Sequence, residues 1–324
     1  MPISNSHPSE NGGNVSHRRV AYNPVVRIVN HRSLAGVLSI LVATTLLHSE
    51  SAVEQGTLPS QWITGGPNCA TVPDWQVHAY NENFYIIRES GCTNYEKPFL
   101  YLIFGQDMAL LEDTGAGEAD TAAVIQRVMH VWTSAHQRAT MPLLVCHSHG
   151  HGDHTAGDKR LGALPGVSVV GTTAEDVQRF FHITRWPEQI VSIDLGGRVL
   201  DVVPIPGHQP SSIALYDRAT GILLTGDTVY PGRLYVSDRP AFVRSIERLI
   251  TFTKDKPVAH ILGTHIEQSA TPFVDYPRGT RYQPDEHPLS LSRGALLELR
   301  EQLVGATAPS ARVNLRDFSI IPGR

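Results

Sequence analysis

Residues 145–154 read VCHSHGHGDH, which places four histidines and one aspartate within eight residues directly behind a short apolar run. Histidine, aspartate and cysteine are the side chains that hold borderline metals such as zinc. Catalytic zinc sites use histidine and carboxylate with one coordination position left open. The apolar run at 142–146 is uniform enough to be a buried strand, so any fold of this chain has to deliver the tract from the end of a strand. Catalytic residues of α/β proteins sit in such loops, positioned by the scaffold beneath. A His-rich tract can also be a metal-scavenging segment or a solvated loop. The rest of the chain has to decide between these readings.

The chain has 324 residues, enough for one large domain or two small ones with a sizeable core. Its formal charge is −4 and its only paired basic residues near the start are Arg18-Arg19, so nucleic acid is not indicated as a partner. Three cysteines exclude a disulfide-rich scaffold. Cys69 and Cys92 are either one bridge in an oxidising compartment or two unpaired thiols. Residues 1–56 look like targeting rather than fold. The run at 34–47 (LAGVLSILVATTLL) is uncharged, follows His31-Arg32 and precedes Ser49-Glu50-Ser51-Ala52. That pattern describes a secretory signal peptide, and the run falls short of the about 20 residues a membrane span needs. Export to the periplasm or medium is the expectation. The membrane becomes a partner only if the segment is an uncleaved anchor.

From residue 57 onward the chain reads as one domain. Residues 57–74 form a Gly/Pro-rich lead-in. Strands are expected at 75–80, 83–89, 99–104 and 108–112, the last ending in the turn Asp113-Thr114-Gly115. A helix follows at 118–136, with apolar residues at helical spacing. Further strands are expected at 142–146, 167–170, 198–205, 212–217, 222–225, 258–262 and 313–321. Further helices are expected at 174–181, 241–254 and 289–303, and 271–288 reads as a loop. Antiparallel-style strands followed by strand–helix alternation suggest two sheets covered by helices.

Side chains alternate along an extended segment, so His149, His151 and Asp153 are expected on one side. His154 turns elsewhere if a helix starts near Thr155. His149 and His151 then serve one metal, Asp153 and His154 a neighbouring one. His147 alternates with the same set, but with Asp153-His154 as the anchor it falls outside the ligands.

At this point the chain resembles the metallo-β-lactamase superfamily. His149-Gly150-His151-Gly152-Asp153-His154 matches that family's His-x-His-x-Asp-His signature. Pro206-Gly207-His208, Leu224-Thr225-Gly226-Asp227-Thr228 and Gly263-Thr264-His265 resemble its later ligand stations, and Leu111-Glu112-Asp113-Thr114-Gly115 its early strand and turn. The match runs over about 75–268 in the expected order. The resemblance implies an α+β fold, a four-layer αββα sandwich with a dinuclear site at one edge. By carry-over, His149, His151 and His208 hold the first metal, Asp153, His154 and His265 the second, and Asp227 bridges both. The implied cofactors are two zinc ions, with iron or manganese as alternatives. Asp113 reads as a turn residue whose carboxylate bonds nearby backbone N–H groups.

Two metals a few Å apart bring a bridging water's pKa to about neutral, so metal-bound hydroxide is the expected nucleophile. Asp153 is placed to orient it and to carry a proton to the leaving group. The sequence has no Gly-x-Ser-x-Gly elbow, Walker loop or His-Glu-x-x-His to compete. The substrate expected is a small ester, thioester or lactone. Asp227 stands where lactamase branches of the family commonly have Cys or Ser, which disfavours a dedicated β-lactamase. Tyr230 has the spacing of the substrate-contacting tyrosine of the family's acyl-homoserine lactonases, though strand-end packing explains it equally. Tyr276, Arg278, Arg281 and Tyr282 are candidates for the pocket wall. The rival readings are β-lactamase activity and a non-enzymatic exported metal-binding protein.

Overall fold

A computed structural model describes residues 27–29, 53–117, 119–305 and 311–323. The signal-like run at 34–47 lies outside the described residues. Within the N-terminal segment, Arg27–Val29 forms an edge strand antiparallel to Val191–Asp194. From Val53 the chain lies against the fold again, where Glu54 N–H donates to the Ala219 carbonyl. Among the described residues no helix is long and apolar enough to cross a membrane.

One sheet runs in the order Trp75–Asn81, Phe84–Glu89, Phe99–Phe104, Ala109–Glu112, Leu143–Cys146 and Val167–Val169. The position of each strand shows in its sequence. Trp75–Asn81 (WQVHAYN) is buried only at Trp75 and Tyr80 and exposed at Val77 and Ala79, as suits a strand at the sheet edge. Phe99–Phe104 (FLYLIF) is buried along its whole length because both of its faces are covered. Phe99, Tyr101 and Ile103 point into the space between the sheets, and Leu100, Leu102 and Phe104 point outward. The second sheet runs Arg27–Val29, Val191–Asp194, Val199–Pro204, Ile213–Asp217, Ile222–Leu224, His260–Leu262 and Ser290–Leu291. Ile193, Leu200, Val202, Ile213, Leu215 and Leu224 from its inner face complete the central core.

Helices close the two outer faces. Thr121–Ala135 is capped by the Asp120 carboxylate on Ala123 N–H and buries Val124, Ile125, Val128 and Trp132 against the first sheet. Arg239–Phe252 and Arg293–Val304 bury Phe242, Ile246, Leu249, Leu296, Leu299 and Leu303 against the second. Each fully buried aliphatic side chain contributes about 1.5–3 kcal/mol, so these stripes hold the layers together. The result is the expected helix–sheet–sheet–helix sandwich of the α+β class.

Three details depart from the sequence reading. The stretch expected as one final strand is a hairpin of Val313–Asn314 and Ser319–Pro322. The hairpin pairs with Arg233–Val236 in a small third sheet. Its turn is hidden because Leu315 and Phe318 are apolar and continue the alternation across it. Arg233–Val236 and Val191–Asp194 were not expected as strands. The second carries a buried polar residue, Ser192, which donates to Asp201 at 2.6 Å. The last helix begins at Arg293, behind the Ser292 cap and the short strand Ser290–Leu291.

Candidate metal centre

The strand Leu143–Cys146 ends at the tract, and the chain bends through 147–150 into a one-turn helix, Gly152–Thr155, with His151 as its cap residue. Asp153 and His154 therefore sit on a helix turn. The expected extended alternation does not carry Asp153, because the helix starts three residues earlier than Thr155. The division into two groups survives for this different reason. The turn at 113–115 latches the helix in place: Thr114 N–H donates to the His154 carbonyl at 2.8 Å and Ala156 N–H to the Gly115 carbonyl at 3.1 Å.

The other three residues arrive from the second sheet. His208 follows Val199–Pro204 through Gly207, whose φ is +141° and whose missing Cβ lets Phe242 of the covering helix approach. Asp227 follows Ile222–Leu224 through Gly226, at φ +53°, where a Cβ would meet the Ser148 side chain at 2.6 Å. His265 follows His260–Leu262, the parallel neighbour of Ile222–Leu224.

The structure brings all seven residues together as two groups, His149/His151/His208/Asp227 and Asp153/His154/Asp227/His265. Within each, the potential ligand atoms lie within 4.8 Å of one another. His149 Nε2 and His208 Nε2 stand 3.8 and 3.6 Å from Asp227 Oδ2. His154 Nε2 and His265 Nε2 stand 3.6 and 3.3 Å from the other oxygen, Oδ1. One carboxylate thus presents one oxygen to each group. Asp153 Oδ2 is 3.4 Å from both His154 and His265. Tetrahedral donors around one ion at bonds of about 2.1 Å are spaced by about 3.4 Å, so these separations fit a metal. His154 Nε2 is fully buried without any hydrogen-bond partner, as a ligand nitrogen is expected to be.

Each buried imidazole is oriented from behind. His149 Nδ1 lies 3.1 Å from Ser148 Oγ, His208 Nδ1 3.0 Å from the Tyr235 carbonyl, His154 Nδ1 2.8 Å from Asp113 Oδ2 and His265 Nδ1 2.9 Å from the Glu96 carbonyl. With the proton on Nδ1, Nε2 is left free to bind. Asp113 is the residue the sequence reading undervalued. Its carboxylate accepts from Ser148 N–H at 2.8 Å, across 35 residues and not within its own turn, and also from Ser148 Oγ at 2.7 Å and from His154. It anchors a histidine of each group, one of them through Ser148. The Leu-Glu-Asp-Thr-Gly station carried that signal. The carbonyls of Tyr235 and Glu96 had none, being backbone atoms.

The electrostatics of the chain's own groups divide the same way. Burial, with His154 and His208 nearby, pushes His149 well below the ordinary histidine range, and burial lowers His208. Burial also opposes charge on His154 and His265, but Asp113, Asp227 and Asp153 outweigh it. His154 is raised well above its usual value and His265 to about 9. Burial likewise opposes charge on Asp153 and Asp227, yet the neighbouring histidines hold both carboxyls below the carboxylate range. Asp153 and Asp227 are thus held ionised by the same imidazoles, His154 and His265, whose protons they favour.

His147 lies outside both groups, with Nε2 2.9 Å from Asp158 Oδ1. Tyr230 lines the pocket with its ring 5.7 Å from that of His265. Its buried hydroxyl donates to the Arg233 carbonyl at 2.5 Å, with Glu267 Oε2 3.1 Å away. A pocket of about 270 Å³ opens over the two groups, walled by Glu96, Tyr230, Tyr235, Ser237, Glu267 and Arg278. Of the four loop residues expected there, Arg278 lines it. Arg281 instead donates to the Gly91 and Cys92 carbonyls, Tyr276 accepts from Asp285 N–H and Tyr282 is exposed. Cys69 and Cys92 form a disulfide, leaving Cys146 as the buried free thiol.

Residues 98–302 match the family model of the metallo-beta-lactamase superfamily. A hydroxyacylglutathione hydrolase from Anaeromyxobacter dehalogenans is 32% identical over 143 residues, 44% of this chain and 49% of that protein. The chain thus spans about half the length of that relative. The acyl-coenzyme A thioesterase MBLAC2 of Homo sapiens is 26% identical over 233 residues, covering 59% of this chain and 81% of the relative. A solved metallo-beta-lactamase from Pontibacter korlensis superposes with a TM-score of 0.49 at 15% identity, covering 71% of this chain and 99% of that one. The family match spans well over half of the chain and includes every residue of both groups, so the chain belongs to the metallo-beta-lactamase superfamily of metallohydrolases.

Proposed function

We propose that the protein is an exported hydrolase of small thioesters that holds two zinc ions, the first between His149, His151 and His208 and the second between Asp153, His154 and His265. Asp227 is shared by both. The observation that carries the dinuclear reading is the division of its two oxygens between the groups. Thioesters are favoured over esters and lactones because the relatives named above are, by name, a hydroxyacylglutathione hydrolase and an acyl-coenzyme A thioesterase. When bound, such ions supply a water activated near neutral pH and polarise the substrate carbonyl.

The chain's own residues supply the rest. Asp153, a quarter exposed at the pocket floor, orients the attacking water by accepting its proton and returns a proton to the departing sulfur as the C–S bond breaks. Asp113 and the Tyr235 and Glu96 carbonyls hold the imidazoles in the tautomer that leaves the inward nitrogens free. Export is supported by the signal-like run and suits the Cys69–Cys92 disulfide, since such bonds persist in oxidising compartments.

The test is metal analysis of the purified protein together with turnover of a panel of thioesters, lactones and β-lactams. The expected result is close to two metal equivalents and thioester hydrolysis that chelator abolishes. Less than one equivalent with no turnover on any member would sink the reading. Mass spectrometry of the secreted protein should find an N-terminus near residue 53; an intact Met1 in a soluble cytoplasmic protein would count against export.

A further inference from the structure

Among the described residues, Arg278 is the only lysine or arginine that lines the pocket over the two groups. The other charges outside the ligand set are Glu96 and Glu267, and Glu267 is held by the Arg233 guanidinium and by Arg233 N–H at 2.8 Å. Arg278 is exposed. It occupies the second position of a turn over residues 277–280. There Thr280 N–H donates to the Pro277 carbonyl at 3.1 Å, and Gly279 takes the positive φ (+84°) that the third position of a type II turn requires.

The turn is not a loose surface loop. Lys97 Nζ donates to the Thr280 carbonyl at 2.8 Å, and Arg281 reaches back to the carbonyls of Gly91 and Cys92 at 3.2 and 3.1 Å. Gly91 packs so closely that a Cβ there would sit 1.9 Å from the Arg281 carbonyl. The Cys69–Cys92 bridge ties the same loop to the lead-in segment. Arg278 is therefore held at the rim by a laced pair of loops.

At about 270 Å³ the pocket lies just below the range that encloses drug-sized ligands. It takes the reacting end of a thioester, and a longer thiol arm has to leave across the rim. We infer that Arg278 is a specificity-determining residue that takes an anionic group, carboxylate or phosphate, on the leaving arm of the substrate. A guanidinium binds either group through paired N–H bonds and stays charged at any working pH. This inference rests on the thioester reading for the identity of the arm.

The experiment compares the wild type with Arg278→Gln. Arg300→Gln, on the exposed face of the Arg293–Val304 helix, is the control for loss of charge alone. Hydrolysis is measured on acyl thioesters of glutathione (carboxylate arm), of coenzyme A (phosphate arm) and of neutral N-acetylcysteamine. Calorimetry follows the binding of the corresponding S-methyl thioethers. In Arg278→Gln the ratio of kcat/KM for an anionic-armed thioester over the neutral one should fall about tenfold, through KM. The binding ratio should fall with it, and Arg300→Gln should leave both ratios unchanged. Which of the two anionic arms loses more identifies its source. Equal losses on charged and neutral arms, an equal shift from Arg300→Gln, or no thioether binding to the wild type would overturn the inference. If no thioester is hydrolysed but the thioethers still bind in an Arg278-dependent way, the proposed function fails and the assignment of Arg278 stands.

Discussion

The two halves of the candidate site are built differently. The half on the first sheet is local: His149, His151, Asp153 and His154 come from one bend and one helix turn after Leu143–Cys146. The half on the second sheet is assembled from three separate strand ends, each placed by backbone packing. Gly207 lies under the Arg239–Phe252 helix, Gly226 against Ser148, and Thr264 donates to Asp227 Oδ1. The local half needs a strand and a turn to be correct. The assembled half needs the whole second sheet and its register. Asp227 joins them, and Ile213 N–H, which donates to the Ser148 carbonyl at 2.9 Å, pins one sheet to the tract of the other.

The largest effect expected is at that joint. Asp227→Ala removes the only carboxylate common to both groups, and the proposed function then predicts metal content falling to one equivalent or less. Loss of about 4 kcal/mol of transition-state stabilisation corresponds to about a thousandfold in kcat/KM. His151→Ala, which touches one group, should spare the metal of the other. Elemental analysis of both variants beside their kinetics decides this. Two equivalents retained in Asp227→Ala would show that the halves bind independently.

A smaller effect, on both halves at once, is expected from Asp113→Asn. The amide offers one acceptor where the carboxylate now takes Ser148 N–H, Ser148 Oγ and His154 Nδ1. Second-layer changes of this kind typically lower metal affinity or activity 10–100-fold. Competition with a chelator should show that loss while far-UV circular dichroism stays native. Loss confined to one metal would mean that Asp113 serves His154 alone.

The same contrast explains what the sequence disclosed. The tract was legible at sight because four ligands share six residues. His208, Asp227 and His265 were legible only as an ordered set, since each sits in a Gly-containing turn that singly means little. Strands of aromatic and β-branched residues between polar turns, such as those expected at 75–80 and 99–104, announced themselves. Arg233–Val236 did not, because its place is set by pairing with Ser319–Pro322, 86 residues away, and four residues are too few to carry a period. With it went the Tyr235 carbonyl that orients His208. Asp153 leaves the extended alternation for a local reason, the early helix start at Gly152.

The loop beside the assembled half makes a prediction in pH. Burial, with Arg88 nearby, lowers Lys97 to about 8, although its ammonium donates to the Tyr95 and Thr280 carbonyls at 2.6 and 2.8 Å. The unfolded chain keeps this amine near 10.5, so between about pH 8 and 10.5 the unfolded state binds more protons than the folded one. The contribution of Lys97 to stability therefore rises with pH across that window, by at most about 3 kcal/mol, and is lost as pH falls through 8. Denaturant unfolding of the wild type minus Lys97→Met isolates it, because other titrating groups cancel. A flat difference from pH 7 to 10.5 would show that the amine is not held as the structure has it.

The smallest effect concerns Tyr230, which the lactonase-like spacing nominates as a substrate contact. A tyrosine that hydrogen-bonds a substrate carbonyl needs a free hydroxyl proton at the reacting centre. Here that proton is given to the Arg233 carbonyl, beside a Glu267 carboxylate already bound to Arg233, and burial pushes the hydroxyl well above the usual tyrosine range. Tyr230→Phe should therefore cost about 1 kcal/mol of stability, the net worth of one such bond. The change in kcat should stay within about threefold. The ring, not the hydroxyl, is what the assembled half uses: Gly263 packs its backbone against Tyr230 Cβ, where an added Cβ would lie at 2.4 Å, and the ring borders His265. Tyr230→Ala should accordingly lower metal retention at the His265 side far more than Tyr230→Phe does. A hundredfold fall in kcat for Tyr230→Phe, with metal content and folding unchanged, would return the hydroxyl to the chemistry and require it to leave Arg233 when substrate binds.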